Sequence, residues 1–340
     1  MKKVLKKFIL LIITIVFLYF VFKNIDIIQL LDTIKNFDIK YIFLAIMSIL
    51  TSLSIRGICF KILISKTVNP PLKDLMPLCI TGAALNIMLP ARAGDIFRAF
   101  YIGNKYNANK IKIFGAIMLE RIFDGLTVLG ILLLGIYFYN KNELAQKLCL
   151  FATIIFVTSF AVALIAIKYN KINAICSWIE NKTTTFPNKI RNIINSIIQF
   201  TNKICNSFLS GFEVLESPQK LLKVVGASSV LWILECLNYL IVIKGFNCEV
   251  HWSVILFIVG FIALACMIPS TSIFVGPYQL AVISAFAIYG IEKETALAIS
   301  FVEQSIVIIS TSIVAVLFLL KNNLSYKDIK ENVQNEIEEK

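Results

Sequence analysis

The stretch LPARAGDIFRAFYIGNKYNANKIKIFGAIMLERIFD, residues 89–124, is where charge gathers in an otherwise apolar chain. Three of the five arginines of the chain lie in it, and three acidic side chains accompany them. These six residues are Arg92, Asp95, Arg98, Glu120, Arg121 and Asp124. The rest of the chain is mainly hydrophobic. A second, less charged segment interrupts the apolar sequence at residues 269–277.

The composition predicts a membrane protein. Of the 340 residues, 58% are hydrophobic, and the mean hydropathy is +0.81, whereas soluble domains are about 45–50% apolar. Several nearly uncharged windows have about 20 residues, the length that crosses a bilayer as a helix. The apolar residues form continuous runs and do not alternate, which favours helices over membrane-spanning strands. The predicted fold class is therefore an all-α polytopic membrane protein.

Six apolar runs are interpreted as full transmembrane helices, at residues 8–22, 42–64, 114–139, 144–167, 224–243 and 295–320. Two further apolar segments, 75–105 and 252–289, are interrupted, and we expect them to form broken re-entrant hairpins. Irregular backbone at membrane depth is tolerated only where it is buried in protein or lines a cavity. The interrupting residues are Pro90, Gly94, Pro269, Gly276 and Pro277.

The two interruptions occupy matching places in the chain. Gly94 precedes Glu120 by 26 positions, and Gly276 precedes Glu303 by 27 positions. By parity of the spans, the first hairpin enters from the cytoplasm and the second enters from outside. Broken helices at matching places in two oppositely oriented halves indicate a transporter built as an inverted repeat.

A single transmembrane domain is predicted over residues 1–320, with halves at 1–167 and 224–320. The segment 168–223 is rich in lysine and has amphipathic spacing, so we expect it to be a cytoplasmic loop. Residues 321–340 are predicted to be a polar cytoplasmic tail. Four lysines among the first seven residues also indicate a cytoplasmic N-terminus. The protein is therefore expected to be a multi-pass protein of the cell membrane with both termini in the cytoplasm.

Charge and cysteine usage argue against several classes of function. The net charge is +12, but the lysines flank apolar spans, where they contact anionic headgroups and not nucleic acid. A coding bias toward Lys, Asn and Ile is an alternative source of this charge. The eight cysteines are scattered singly and the chain has one histidine, so we expect no metal centre, no cofactor and no His-based catalysis.

Two compatible interpretations of the charged stretch stay open. In the first, acids and arginines neutralise each other inside the membrane, for example as a pair between Arg98 and Glu120 that locks the hairpin to the next span. In the second, Arg92, Arg98 and Arg121 bind a lipid phosphate, because the planar guanidinium group matches phosphate oxygens in a bidentate geometry.

Two more acidic residues are expected to lie within the membrane, near the charged stretch. Glu235 and Glu303 lie near the middle of apolar spans, where a carboxylate faces an internal cavity more often than lipid. We expect both to line one cavity together with the charged residues of the opening stretch. Arg56 lies toward the end of the span 42–64, so we expect its long side chain to extend to the membrane surface.

Three motifs resemble the signatures of a known family. LPARAGDIFRAFYI, LERIFDGL and IPSTSIFVGPYQLAVISAFAIYGI are similar to those of the lysylphosphatidylglycerol synthase transmembrane-region family of flippase-like membrane proteins, from about residue 42 to residue 320. The resemblance implies translocation of an anionic phospholipid or a polyprenyl-phosphate-linked lipid between leaflets. The chain departs from the family pattern at Gln279, where an acid often stands.

Three functions remain to be distinguished. The first is a lipid flippase, with an anionic membrane lipid as its partner. The second is a membrane transferase, because some members of the family carry a separate cytoplasmic aminoacyltransferase domain. Only the short tail follows residue 320, so we do not expect this activity. The third is a non-transporting partner of a lipid-synthesis enzyme. The identity of the lipid and the oligomeric state do not follow from the sequence.

Overall fold

The structure is a computed structural model that describes residues 21–23, 25–89, 92–139, 204–265 and 276–324, with a few scattered residues between 147 and 202. Within these residues the chain is helical and contains no β-strand. This confirms the predicted all-α class for the described part. The helices are α1 (Ile27–Lys35), α2 (Lys40–Ile64), α3 (Leu72–Met88), α4 (Ala93–Lys105), α5 (Lys110–Tyr139), a short 3-10 helix (Glu213–Glu216), α6 (Pro218–Gly245), α7 (Trp252–Ala265), α8 (Pro277–Ala287) and α9 (Lys293–Lys321).

Within the described residues, three helices are long and apolar enough to cross a membrane. They are α2, α6 and α9, with 25, 28 and 29 residues. At about 1.5 Å per residue, each is longer than the roughly 30 Å hydrocarbon core of a bilayer. The protein is therefore a helical membrane protein. Most of the predicted spans 8–22 and 144–167, of the loop 168–223 and of the tail 321–340 lies outside the described residues.

The first interrupted element consists of α3 and α4, which pack against each other. α3 has 17 residues and α4 has 13, so neither is long enough to cross comfortably. The chain between them is extended at Leu89 and left-handed at Arg92, with φ of 52°. Pro90 lies outside the described residues. A non-glycine residue with positive φ is uncommon and marks a sharp reversal of the chain.

The prediction that Gly94 interrupts the helix is wrong, because this residue lies in the first turn of α4. Its lack of a side chain serves packing. A Cβ atom at Gly94 would overlap the carbonyl oxygen of Gly82 in α3. Glycine at position 94 therefore allows the backbones of α3 and α4 to touch, as small residues do between membrane helices.

Polar side chains tie the open end of this hairpin together. The hydroxyl of Tyr106, just after α4, donates to Asp74 at 2.5 Å, and Lys105 contacts the same carboxylate at 2.9 Å. Burial and the bond to Asp74 raise the pKa of Tyr106 to about 12, so this hydroxyl keeps its proton and remains a donor at neutral pH. The two ends of the hairpin are thereby held together.

The second interrupted element consists of α7 and α8, with 14 and 11 residues. Pro269 and the rest of residues 266–275 lie outside the described residues. Gly276 has φ of 96°, which favours glycine, and Pro277 is the first residue of α8, where proline suits a helix. The backbone N–H of Gly276 donates to Oε1 of Gln279 at 2.7 Å, which caps the start of the helix.

The membrane helices pack around a central pair. α2 lies along α6, and the hydroxyl of Ser48 donates to the carbonyl of Leu234 across their interface at 3.0 Å. α5 packs on α7, and α3 packs on α9. Ile87 in the last turn of α3, Ala263 near the end of α7 and Tyr278 at the start of α8 line one cavity, which brings the two interruptions to the same region of the helix assembly.

Candidate functional site

Arg98 is at the centre of the charged residues and joins α4 to α5. Its side chain is only 1% exposed. Nη1 and Nη2 donate to the two oxygens of Glu120 at 3.2 and 2.8 Å, a bidentate pair. The guanidinium carbon lies 4.2 Å from the centre of the Phe60 ring, a cation–π contact. The pair between Arg98 and Glu120 that the sequence predicted is thus present.

Arg121 makes a second bridge between the same two helices. Its Nε and Nη2 donate to the two oxygens of Asp95 at 3.2 and 2.9 Å. Its Nη1 donates to Asp124, one turn further along α5, at 2.9 Å. Asp95 also accepts a bond from the side chain of Asn86 in α3, at 3.3 Å. Arg121 is less buried than Arg98, with 22% of its side chain exposed.

Arg56 is the member of the cluster that the sequence analysis missed. It was expected at the membrane surface, but only 12% of its side chain is exposed, and Nη1 contacts Glu120 at 2.9 Å and Asp124 at 2.7 Å. That prediction was wrong, because two buried carboxylates on α5 attract the side chain inward. A signal was available: Ser48, Ser52 and Arg56 are spaced by four, which places three polar side chains on one face of α2.

The six-residue charge network is balanced. Its members are Arg56, Arg98, Arg121, Asp95, Glu120 and Asp124. Three positive and three negative groups neutralise each other across α2, α4 and α5. Ionised groups at membrane depth are costly unless they are paired, so this balance explains why the network can be buried.

Arg92 is not one of these six residues, and it lies just before helix α4. The spacing of Arg92, Asp95 and Arg98 by three would place them on one face of a continuous helix, but α4 begins at Ala93, and Arg92 is the left-handed residue before it. The three do not share a helical face, because the chain break extends to residue 92. Its side chain is half-buried at the mouth of the break.

A cavity of about 240 Å³ lies beside the network. It opens where the two hairpins approach each other, between the last turn of α3 and the first turn of α8. The side chains that line it come from α2, α3, α6, α7, α8 and α9. They are Arg56, Ile87, Trp232, Glu235, Tyr239, Val259, Ile262, Ala263, Tyr278, Glu303, Gln304 and Val307.

The cavity contains only part of the predicted set. Glu235 and Glu303 line it, as expected, and Arg56 is the cation among its described lining residues. The other charged residues of the opening stretch do not line it, so the expectation of one cavity for all of them was wrong. The reason is that the ion pairs of Arg98 and Arg121 draw those side chains together between α4 and α5.

The two cavity acids have neutral partners. Glu303 accepts a hydrogen bond from the hydroxyl of Tyr278, which in turn contacts the hydroxyl of Tyr239 at 2.8 Å. Asn238 approaches Glu303 from α6 at 3.5 Å. Glu235 accepts a bond from Ser52 at 2.8 Å. Among the described ion pairs, none involves either acid, in contrast to the network across α2, α4 and α5.

Comparison with known proteins gives the family. The family described as lysylphosphatidylglycerol synthase TM region matches residues 7–315. A UPF0104 membrane protein of Methanothermobacter thermautotrophicus is 22% identical over 279 residues, which are 79% of this chain and 78% of that protein. No solved structure matches the chain. Since the match covers most of the chain, including both interrupted hairpins and the charge network, this protein belongs to the lysylphosphatidylglycerol synthase TM region family.

Proposed function

We propose that this protein is a lipid flippase that moves an anionic phospholipid or a polyprenyl-phosphate-linked lipid between the leaflets of the cell membrane. The observation that carries the proposal is the cavity between the two interrupted hairpins, with a partly uncommitted arginine in its wall. Transporters of this architecture bind their substrates near the bilayer midplane, at the interface between discontinuous helices.

Arg56 is the group that we propose for the lipid phosphate. Both of its carboxylate partners, Glu120 and Asp124, are bonded through the single nitrogen Nη1. Within the described residues, Nη2 and Nε make no hydrogen bond, and the side chain lines the cavity. One edge of the guanidinium group is therefore available for two phosphate oxygens, while the acids hold its orientation.

The other arginines take different roles in this proposal. Arg98 is fully enclosed and its Nη groups are engaged by acids, so it positions α4 against α5 and thereby fixes Glu120. Arg92, at the mouth of the break, and Arg121, which is partly exposed, are proposed to contact the headgroup as it enters. Asp95 holds Arg121, and Asp124 holds Arg56 from the other side.

The contacts between helices support an inverted repeat. Exchanging α2 with α6, α3 with α7, α4 with α8 and α5 with α9 turns each of the main contacts among these helices into another of them. The contact of α2 with α6 maps onto itself, and that of α5 with α7 maps onto that of α3 with α9. We therefore propose halves at 1–167 and 224–320, related by a pseudo-two-fold axis.

The segments that precede α2 and α6 follow the same exchange. α1 precedes α2 and contacts the start of α9, where the backbone N–H of Asp26 donates to Glu294 at 3.3 Å. Residues 204–216 precede α6 and contact the start of α5, where Lys112 and Glu213 pair at 2.9 Å. We propose six full spans, two re-entrant hairpins and cytoplasmic termini on this basis.

The topology predicts where introduced cysteines react. In a chain whose eight cysteines are replaced, Asn104→Cys at the end of α4 should be labelled by a membrane-impermeant thiol reagent only from the cytoplasmic side. Glu292→Cys, before α9, should be labelled only from outside. Both positions are exposed. Labelling of position 104 from outside would mean that α3 and α4 cross the membrane as a whole, and the first hairpin would be ruled out.

Arg56→Lys should slow lipid movement by about tenfold or more. Lysine keeps the charge but cannot offer two nitrogens to one phosphate, and a charge-assisted hydrogen bond contributes about 1.5–3 kcal/mol. The measurement is the rate at which a fluorescent anionic phospholipid changes leaflet in vesicles containing the purified protein. Lys61→Arg is the matched control, because it makes the reverse exchange on α2 at a residue that does not line the cavity.

The outcomes separate the three candidate functions. A wild-type rate in Arg56→Lys, with an unchanged unfolding midpoint, would remove the phosphate role of this residue. New aminoacyl-lipid in cells that express the protein, in a host that lacks it, would favour the transferase. Unaltered leaflet distribution for every anionic phospholipid and polyprenyl phosphate tried would leave only the role of a partner to a lipid-synthesis enzyme.

A further inference from the structure

We propose that Glu303 is a proton-binding site and that one proton crosses the membrane together with each lipid. This inference rests on the proposed lipid transport and deepens it by naming the coupling ion. Each half of the molecule has a glutamate at an equivalent position, and the residues that surround this glutamate differ between the halves.

Glu120 and Glu303 occupy corresponding places under the helix exchange described above. Arg56 of α2 contacts Glu120 of α5, and Asn238 of α6 contacts Glu303 of α9. The second pair of residues lies 182 and 183 positions further along the chain than the first. The same contact is thus made by a cation in the first half and by a neutral amide in the second half.

In the part of the chain that the structure describes, the groups that face Glu303 are neutral or acidic, with one exception. From α8 they are Tyr278 and, one residue further, Gln279, whose amide donates to Gln304 of α9 at 2.5 Å. α3 and α7 contribute apolar side chains to the cavity wall. From α6 they are Asn238, Tyr239 and the second acid, Glu235.

The exception is Arg56 of α2, which lines the same cavity but is bonded to Glu120 and Asp124. An ionised Glu303 therefore has no cation of its own among the described residues. Burial without a partner disfavours the charged form of a carboxyl group, whereas the protonated form needs only hydrogen bonds. The surroundings of Glu303 supply these bonds.

Asn238 can serve both states of this acid. Its side chain is fully buried, and its Oδ1 has no hydrogen-bond partner, although its amide faces Glu303. The Nδ2 group donates to an ionised carboxylate. After rotation of the amide, Oδ1 accepts the proton of the neutral carboxylic acid, so the unsatisfied oxygen finds a donor in the protonated state. Asn238 can therefore form a hydrogen bond with either protonation state of Glu303.

The lipid phosphate links proton binding to transport. When it occupies the edge of Arg56, it adds negative charge to a cavity that already contains Glu235 and Glu303. Like charges in a poorly hydrated site disfavour each other, so a bound phosphate favours the proton on Glu303, and a bound proton favours the phosphate. With lipid and proton both bound, the cavity has less net charge while its opening changes from one side of the membrane to the other. Both ligands then leave on the second side.

Two measurements test this inference. A pH difference of about one unit across vesicles should let the wild-type chain concentrate a fluorescent phosphatidylglycerol in one leaflet by up to about tenfold, since each unit is a factor of ten in proton activity. Glu303→Gln keeps the size and the hydrogen bonds but cannot release a proton, so it should lose this accumulation. Glu294→Gln, on the same helix and outside the cavity, is the matched control and should accumulate lipid as the wild type does.

The second measurement does not depend on transport. At neutral pH, the infrared difference spectrum between the wild-type protein and Glu303→Gln should contain the band of a buried carboxylic acid. Lipid movement that ignores the pH gradient, or accumulation that follows a sodium gradient at constant pH, would overturn proton coupling and leave the flippase standing. Absence of any lipid movement would overturn the proposed function, and absence of the infrared band would overturn the proton site itself.

Discussion

Replacement of Arg98 by methionine should lower the free energy of unfolding by about 3–5 kcal/mol. The substitution leaves the shape of the side chain roughly unchanged but removes the bidentate partner of Glu120, which is itself only 2% exposed. Breaking a buried pair by removing one partner costs about this much, because water cannot replace the two charge-assisted hydrogen bonds that the carboxylate loses. Arg56 and Arg121 still contact Glu120, so the protein should fold, with a lower midpoint in a titration with denaturing detergent.

Lys105→Met provides the comparison on the same helix. Lys105 forms a close pair with Asp74, but 36% of its side chain is exposed, and surface pairs contribute about 0–1 kcal/mol. A difference of several kcal/mol between the two variants is therefore expected. Equal midpoints would mean that the charge network does not stabilise the fold, and that α4 is held to α5 by apolar packing alone.

Gly94→Ala should destabilise the protein by about 3 kcal/mol. The added methyl group would overlap the carbonyl oxygen of Gly82, which is backbone and cannot turn aside, so α3 and α4 must separate. Overpacking of this kind costs about 1–3 kcal/mol, and a rigid backbone neighbour places the substitution at the upper end. The separation also moves Asp95 away from Arg121, and lipid movement should fall as well.

Gly226→Ala is the matched control for this substitution. A Cβ atom at Gly226 meets nothing within 4 Å, and the residue lies inside the long helix α6. Alanine favours a helix over glycine by about 0.5–1 kcal/mol, so the control should be slightly more stable than the wild type. If both variants behave alike, contact between the α3 and α4 backbones is not what requires glycine at position 94.

The pairing of Arg98 with Glu120 could be predicted from the sequence because few alternatives existed. Arginine and glutamate at membrane depth require partners, and the hairpin placed these two near each other. Gly94 was harder, since a glycine close to a proline indicates a break as readily as it indicates helix contact. The choice between these depends on what the neighbouring helix presents, and Gly82 is a glycine in an apolar run with no distinguishing context.

Arg56 could not be assigned from its local sequence. A long cationic side chain near the end of a span ordinarily extends to the surface, and only the distant carboxylates of Glu120 and Asp124 reverse this. The separation of the charged residues into a network and a cavity has the same origin. Which acid is paired and which faces open space depends on the rotation of α5 and α9 about their axes, and this is set by tertiary packing.

The chemical difference between the two halves has a consequence for the resting state. In an inverted-repeat transporter, the inward-open and outward-open forms arise when the two halves exchange conformations. Identical halves would make these two forms equal in free energy, and the protein would populate them equally. Here Glu120 is held by permanent cations, whereas Glu303 is held by neutral groups. The two forms of the proposed transporter should therefore differ in free energy, and the empty protein should mainly adopt one of them. Which form is favoured should depend on pH, because Glu303 binds a proton.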